Sequence, residues 1–363
     1  MTAEAVHTRA PAGEDELADA LAAASGPVRI RGGATKLAWA PPARPPALEL
    51  STAQLDALVA HNPGDMTAIL EAGMPLARAQ KAFAAEGQML ALDPPDPGGA
   101  TVGGLIAAAD SGPLRHGYGG PRDLVLGMTV ALSDGTLAKS GGTVIKNVAG
   151  YDLAKLFTGS FGALGAIVRV AVRLHPIPPR TATAVGGGPD PDALGRAALA
   201  LSHAPLELQS LDVRWRSGSG AVLVRFAGAS PRPQAEAAEA LLRDEGLATE
   251  IVDDDTPWDE QRAGQRGPLV IKVSALPTRL PSLLRVADEL DASVVGRATL
   301  GLWWLRIEEP SAVPVERLRR DFIAVVENHP PELEVDRSGP IPAPTWELMR
   351  RVKERFDPAG VCV

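Results

Sequence analysis

The sequence predicts an α+β chain of two domains, and three observations carry that expectation. At 363 residues it has the length of about two domains. The first half alternates short β-type runs with helical runs through tight connections. The second half repeats strand and helix in a more regular rhythm, which suits helices packed on one face of an antiparallel sheet.

In the first half, Pro27-Val28-Arg29-Ile30 is a short apolar strand that breaks at Gly32-Gly33. Ala47–Leu50 is a second strand, and Met66–Ala72 is a third, closed by Gly73. Pro75 sits where a first helical turn accepts proline, so the run from Leu76 reads as a helix ended by Gly87. Residues 91–99 hold three prolines and two glycines and read as a loop. A short helix follows from Thr101. Residues 124–142 read as a hairpin turning at Asp134-Gly135. Residues 150–159 read as a helix stopped by Gly159, and residues 166–174 alternate as a strand should. The proline-rich stretch from His175 to Pro179 ends the unit, giving domains at 1–179 and 180–363.

In the second half, Leu208–Arg214 and Ala221–Phe226 form a hairpin around Ser217–Gly220. A helix at Pro233–Glu245 and a strand at Ala248–Val252 follow, then an acidic loop, Asp253–Glu260. Next come strand Leu269–Val273, helix Leu280–Leu290, strands Ser293–Val295 and Leu302–Ile307, helix Val315–Val326 and strand Glu332–Val335. A last helix, 345–356, stops before Asp357-Pro358 and is able to return to the first domain. The pattern is that of a split, ferredoxin-like antiparallel-sheet domain.

Composition narrows the function. Hydrophobic residues make up 45% and charged residues 22%, the balance of a globular protein. The apolar runs fall short of the ~18 residues that span a bilayer, so no integral membrane segment is expected. The N-terminal stretch has no apolar core and does not read as a secretory signal. A net charge of −8 argues against nucleic acid as a partner. The single cysteine, Cys362, excludes an iron–sulfur cluster held by four thiolates and reads as a tail residue. His203 and His329 are not in ligand spacing, so no metal is expected. Asp253-Asp254-Asp255 reads as a solvated loop, and Trp303-Trp304 as core.

Glycine is concentrated where the chemistry should be. Residues 98–165 carry 16 of the 37 glycines, with five basic residues against four acidic ones in an otherwise acidic chain. Bare backbone lets N–H groups point at an anion, so the segment suits a phosphate-bearing cofactor. Tight turns in a β-rich region are the alternative. Neither a GxxxxGK[ST] loop nor a GxGxxG opening a helix is present, which excludes a P-loop and a Rossmann site. Instead the glycines form separate loops at residues 31–36, 101–104, 117–123 and 159–165. A long cofactor gripped by several loops fits that arrangement.

These loops, in this order, resemble the FAD-linked oxidases of the vanillyl-alcohol-oxidase and p-cresol-methylhydroxylase (PCMH) type. The block GGTVIKNVAGYDLAKLFTGSFGALG, with RIRGGATKLAWA and GQMLALDPP, closely resembles the FAD-binding subunits of bacterial glycolate oxidases. The resemblance covers residues 25–180 best and reaches the closing helix. It implies a two-part PCMH-type FAD-binding domain followed by the ferredoxin-like cap domain, with FAD held between them. It places Arg31, Gly32, Gly33, Ala34, Thr35 and Lys36 in a first contact set, wrapping the pyrophosphate through backbone amides. Pro94, Thr101, Gly103, Gly104, Ser111, Gly112, Gly117, Arg122 and Asp123 fall in a second set. Gly165 and Ile167 lie by the adenine end. Some relatives tether flavin to a histidine in the first loop. Here that loop reads Gly33-Ala34-Thr35, which implies non-covalent FAD.

The resemblance also implies a function: an FAD-dependent oxidoreductase subunit taking part in oxidation of glycolate, a small 2-hydroxy acid, to glyoxylate. Its partners would be a catalytic flavoprotein subunit and an iron–sulfur subunit, in the cytoplasm or at the inner face of the membrane. Such chemistry needs a hydride acceptor, a base and a carboxylate-binding cation. Tyr118 and Tyr151, the two tyrosines, either edge the flavin ring or pack. His116 is a nearby base or a loop histidine, and His175 a base or a junction residue. Lys146 and Asn147 meet flavin or carboxylate, or hold their loop. Two alternatives stand beside this function: a self-sufficient FAD-dependent oxidoreductase acting on another hydroxy acid or alcohol, and a non-catalytic flavin-binding assembly subunit.

Overall fold

The computed structural model describes residues 6–40, 44–95, 98–143 and 152–363. The chain divides into two compact units. The first takes Met1–Ser111, Gly119–Ile177 and Ile341–Val363; the second takes Gly112–Tyr118 and Pro178–Pro340.

Among the described residues the first unit holds three sheets, the smallest being the antiparallel pair of Gln88–Met89 with His175–Pro176. Strands β1 (His7–Arg9), β2 (Val28–Arg31) and β3 (Leu48–Ser51) form a parallel sheet in the order β1-β3-β2. Helix α1 (Glu14–Ala22) buries Leu17 and Leu21 beside Val28 and Leu50. Strands β4 (Leu58–Asn62) and β5 (Thr67–Glu71) lead to α2 (Leu76–Ala84) and β6 (Gln88–Met89). Helices α3 (Val102–Ala108), α4 (Arg115–Tyr118) and α5 (Pro121–Leu124) then precede β7 (Val125–Ala131), β8 (Leu137–Gly141), α6 (Ala154–Phe157), β9 (Ala166–Arg173) and β10 (His175–Pro176). The second sheet is antiparallel, ordered β4-β5-β9-β7-β8.

The β7–β8 connection is wider than the two-residue turn expected. It runs over residues 132–136, with Gly135 at φ +85° and the Thr136 N–H donating to Asp134 Oδ1 at 2.9 Å. Of the helix expected over 150–159, residues 150 and 151 lie outside the described residues; over 152–159 only the four-residue α6 is helical, a shorter helix than expected.

The second unit is a doubled ferredoxin-like fold. Strand β11 (Arg180–Gly188), α7 (Pro191–His203), β12 (Leu208–Arg216), β13 (Ser219–Gly228), α8 (Arg232–Asp244) and β14 (Ala248–Val252) make one βαββαβ repeat. After α9 (Thr256–Ala263), a second repeat follows: β15 (Leu269–Ser274), α10 (Leu280–Glu289), β16 (Ser293–Arg297), β17 (Leu302–Ile307), α11 (Val315–Arg319) and β18 (Ile323–Asn328). The repeats join edge to edge through β12 and β16 in one antiparallel sheet, ordered β14-β11-β13-β12-β16-β17-β15-β18. Helices α7, α8, α10 and α11 cover one face, and the core lies between. The final helix, α12 (Ala343–Phe356), belongs to the first unit.

Three sequence expectations fail here. The acidic loop begins a helix: Asp254 Oδ1 accepts from the Thr256 N–H at 2.9 Å, and α9 then buries Trp258 against Val185, Ala221 and Leu223. Residues 315–326 are a short helix followed by the edge strand β18, because β15 offers its free edge there. Residues 332–335, expected as a strand, are turn and coil. Cys362 is not a loose tail either. It is buried, bridges Val28 in parallel, and burial, with the Asp357 charge, pushes its thiol up to about 12.

The sheet face opposite the four helices carries a buried ion pair. Arg297 Nη1 lies 2.7 Å from Asp212 Oδ2 with both side chains fully inaccessible. Arg297 also donates to the Gly112 carbonyl at 3.1 Å, and Gln261 donates to Asp212 at 2.9 Å. Burial pushes the Asp212 carboxyl above the ordinary carboxylate range, against the pull of Arg297. Removing one partner of such a pair costs roughly 3–5 kcal/mol, and removing both costs far less. Arg297→Met should therefore lower Tm by roughly 10 °C, and Arg297→Met with Asp212→Leu should recover most of the loss in a calorimetric melt.

Candidate functional site

A cleft of about 670 Å³, counted to its open mouth, lies in the first unit. Residues from three stretches line it, within 30–37 (Arg31 excepted), 101–108 and 161–167, together with the single positions Thr52 and Ala72.

Bare backbone brings the stretches together. A Cβ on Gly33 would sit 1.7 Å from the Gly99 carbonyl oxygen, and one on Gly32 would sit 2.3 Å from Thr101 Oγ1. A Cβ on Gly103 would lie 2.5 Å from Ala72 Cβ. These glycines serve first to let loops touch. That is the alternative to anion binding that the sequence left open.

The N–H groups of the first loop answer the anion question. Among the described residues, the amides of Gly32, Gly33, Ala34 and Thr35 donate to no protein group. Ala34 takes φ +60°, which turns successive N–H groups inward as a nest. Such donors are left unpaired only where solvent or a ligand takes them. The second loop is different. Val102 N–H donates to Met74 O at 2.9 Å, Gly103 N–H to Ala72 O at 2.8 Å, and Gly104 N–H to Thr101 Oγ1 at 3.3 Å. Its amides are spent holding α3 against the preceding segment. The remaining wall is apolar: Ile30, Leu37, Ala72, Ala107, Ala108, Phe161 and Ile167. A nest of four amides on an apolar wall fits the diphosphate and one ring end of FAD.

Of the residues expected at the cofactor, Gly32, Gly33, Ala34, Thr35, Lys36, Thr101, Gly103, Gly104, Gly165 and Ile167 line the cleft. Arg31 lies beside it, at the end of β2, 3.5 Å from Glu49. Pro94 and Ser111 are buried outside the lining. Gly112 and Gly117 belong to the second unit. Arg122 and Asp123 sit on α5, where Asp123 Oδ2 accepts from the Gly120 N–H at 2.9 Å. The sequence did not point to Thr52, Ala72 or Ala107; nothing local marks an alanine or a threonine as a wall.

Among the catalytic candidates, Tyr151, Lys146 and Asn147 lie outside the described residues. His116 and Tyr118 both sit in the seven-residue segment Gly112–Tyr118 of the second unit. Gln209 donates to Tyr118 Oη at 3.1 Å, and Ser210 donates to the Pro113 carbonyl at 3.1 Å. Burial, and then the Arg297 charge, lower the His116 pKa. His175 is lowered by burial and by Arg173. No group of three metal-ligating side chains occurs among the described residues.

Residues 7–141 match the family described as FAD binding domain. The first unit carries an FAD binding domain. The chain is 27% identical to glycolate oxidase subunit GlcE of Escherichia coli K12 over 313 residues, covering 84% of the chain and 82% of that protein. It is 37% identical to glycolate oxidase subunit GlcD of Bacillus subtilis over 125 residues, 33% of the chain and 27% of that protein. It is 36% identical to the D-lactate dehydrogenase of Archaeoglobus fulgidus over 152 residues, 41% of the chain and 33% of that protein. With these relatives the chain stands among FAD-dependent oxidoreductases. Among solved structures, alkyldihydroxyacetonephosphate synthase superposes with a TM-score of 0.69 at 13% identity, covering 98% of this chain and 75% of that one, a likeness of fold.

Two outcomes follow for the FAD binding domain and its neighbour. Gly33→Ala drives a methyl into a carbonyl, so its Tm and flavin content should both fall, whereas Gly64→Ala, with nothing within 4 Å of its Cβ, should match the parent. His116 and His175 titrate in the fold below the ordinary 6.5. The unfolded chain then binds more protons as pH falls through 6.5, so acidification removes stability. Melts of His116→Gln against the parent at pH 8 and pH about 5.5 should show a smaller acid loss in the variant.

Proposed function

We propose that the protein is the FAD-binding subunit of a 2-hydroxy-acid dehydrogenase complex that oxidises glycolate to glyoxylate. The observation that carries this is the four-amide nest of residues 32–35 on an apolar cleft, in a chain whose similarity to GlcE runs through both units. FAD, when bound, supplies the two-electron acceptor that alcohol oxidation requires. The chain's own part is to bind it. The first-loop amides hold the diphosphate, and Ile30, Ala107 and Ile167 keep water from the ring they face. The first loop reads Gly33-Ala34-Thr35 where some relatives carry the tethering histidine, so the cofactor is proposed to be non-covalent. Arg31, Pro94, Ser111, Gly112, Gly117, Arg122 and Asp123 remain proposed contacts by resemblance alone.

His116, kept neutral by burial, and Tyr118, oriented by Gln209, are the described groups of the second unit suited to exchange a proton with a hydroxyl substrate. The partners would be a second flavoprotein subunit like GlcD and an iron–sulfur subunit that passes electrons on. No helix among the described residues is long and apolar enough to cross a membrane. A peripheral attachment through the complex is part of the proposal.

A second substrate reading has its own support. Several relatives, each matched over 41% of the chain, are D-lactate or D-2-hydroxyglutarate dehydrogenases. The test is therefore a panel. The purified chain should be yellow, and acid precipitation should leave the colour in the supernatant; a yellow pellet refutes non-covalent binding. With partner subunits present, glycolate should bleach the flavin and reduce a dye. Bleaching by D-lactate or D-2-hydroxyglutarate instead would replace the substrate, and turnover by the chain alone would replace the subunit role.

A further inference from the structure

The cleft contains one charged side chain among its described lining residues, Lys36. It is not simply a surface lysine. Only 7% of its side chain is accessible, and its Nζ lies 3.1 Å from Asp110 Oδ2 and 3.1 Å from Thr35 Oγ1. The Trp39 ring lies beneath it, 5.7 Å to the centroid. Asp110 is 1% accessible and sits outside the lining, just past Ala109, which ends α3 in the left-handed region at φ +51°.

We propose that Lys36 is the charge that recognises the cofactor's diphosphate, and that Asp110 is a counter-charge that moderates the grip. The proposal rests on reading the cleft as the FAD site. Lys36 directly follows the four amides that have no protein acceptor, and its ammonium lies 3.1 Å from the hydroxyl of Thr35, the last of the four, within reach of an anion seated there. The amides are neutral dipoles and would take any oxyanion. The ammonium adds charge, and a charge-assisted bond is about twice as strong as a neutral one. Asp110 already pairs with that ammonium before the cofactor arrives. Removing the carboxylate takes a negative charge from beside the ammonium. That destabilises the cofactor-free protein and tightens the grip on an anion. A purely structural staple between the first loop and the end of α3 predicts something else: both partners' loss would weaken stability and cofactor binding together.

The test strips the full chain of flavin and titrates it with FAD, followed by flavin fluorescence, and with ADP as a diphosphate lacking flavin. Lys36→Met should weaken both ligands by roughly tenfold to a hundredfold. Asp110→Asn should tighten both several-fold while lowering the Tm of the stripped protein. In the parent, affinity should fall with added NaCl, and that slope should flatten in Lys36→Met. If Lys36→Met does not fold, the Asp110→Asn titration and the salt slope of the parent still decide the matter. FAD and ADP binding by Lys36→Met within threefold of the parent, or weaker binding by Asp110→Asn, overturns the proposal while leaving the FAD site intact. A parent that binds no FAD overturns the site itself.

Discussion

The first unit depends on backbone meeting backbone at one place. Gly33 passes so close to the Gly99 carbonyl that any side chain on it would have to displace main chain, and one on Gly32 would have to displace the Thr101 hydroxyl. That contact fixes where β2 ends and how the next residues turn. Ala34 can then sit at φ +60°, a strained choice for a residue with a Cβ, because its neighbours are held on both sides. The same packing explains why the two glycine loops differ in chemistry. Gly103 is pressed against Ala72, and the N–H groups of Val102 and Gly103 bond backward to Met74 and Ala72. One loop anchors, which frees the other to bind.

The end of the chain secures this arrangement from behind. Val28 N–H donates to Val361 O at 2.6 Å, and Val363 N–H donates to Val28 O at 3.0 Å, so the C-terminal residues extend the sheet beside β2. The Lys353 ammonium then gathers the Ala163 and Cys362 carbonyls, at 2.6 and 2.7 Å, together with Asp357. Ala163 belongs to the fourth glycine loop, and β2 feeds the first. Two walls of the cleft are thus held by one segment. Cys362 is part of that clamp, and its raised thiol pKa keeps it protonated and unreactive.

The legible parts of the sequence were those with strong local signals. Strands β14 and β17 fall where alternation and flanking turns put them, and α10 nearly so. The first βα of the doubled repeat was invisible. Strand β11 carries Gly186-Gly187-Gly188, a composition that argues against a strand, yet Gly186 is there because Leu242 of α8 packs within 2.8 Å of where its Cβ would be. Helix α7 is rich in alanine and small enough in its apolar face to lack a clear period. The error over 315–335 has a tertiary cause: an edge on β15 recruits residues 323–328 that otherwise continue a helical pattern. At the site, the family resemblance pointed to ten lining residues, but a resemblance could not show which amides were already taken. That is a property of partners distant in sequence, such as Gly103 with Ala72.

Charge is managed in a way that composition conceals. A chain of net charge −8 carries a domain that must accept an anionic cofactor. Surface lysines could not do this dependably, because exposed charges are screened within about 8–10 Å at physiological salt. Main-chain dipoles do not titrate, and counter-ions do not neutralise them as they do lysines. The cleft therefore presents amides first and a single ammonium second, and pairs that ammonium with a buried carboxylate, so that no isolated charge is left in a poorly solvated wall. The second unit follows the same rule with Arg297 and Asp212. In both units the buried cation is compensated locally by a buried carboxylate.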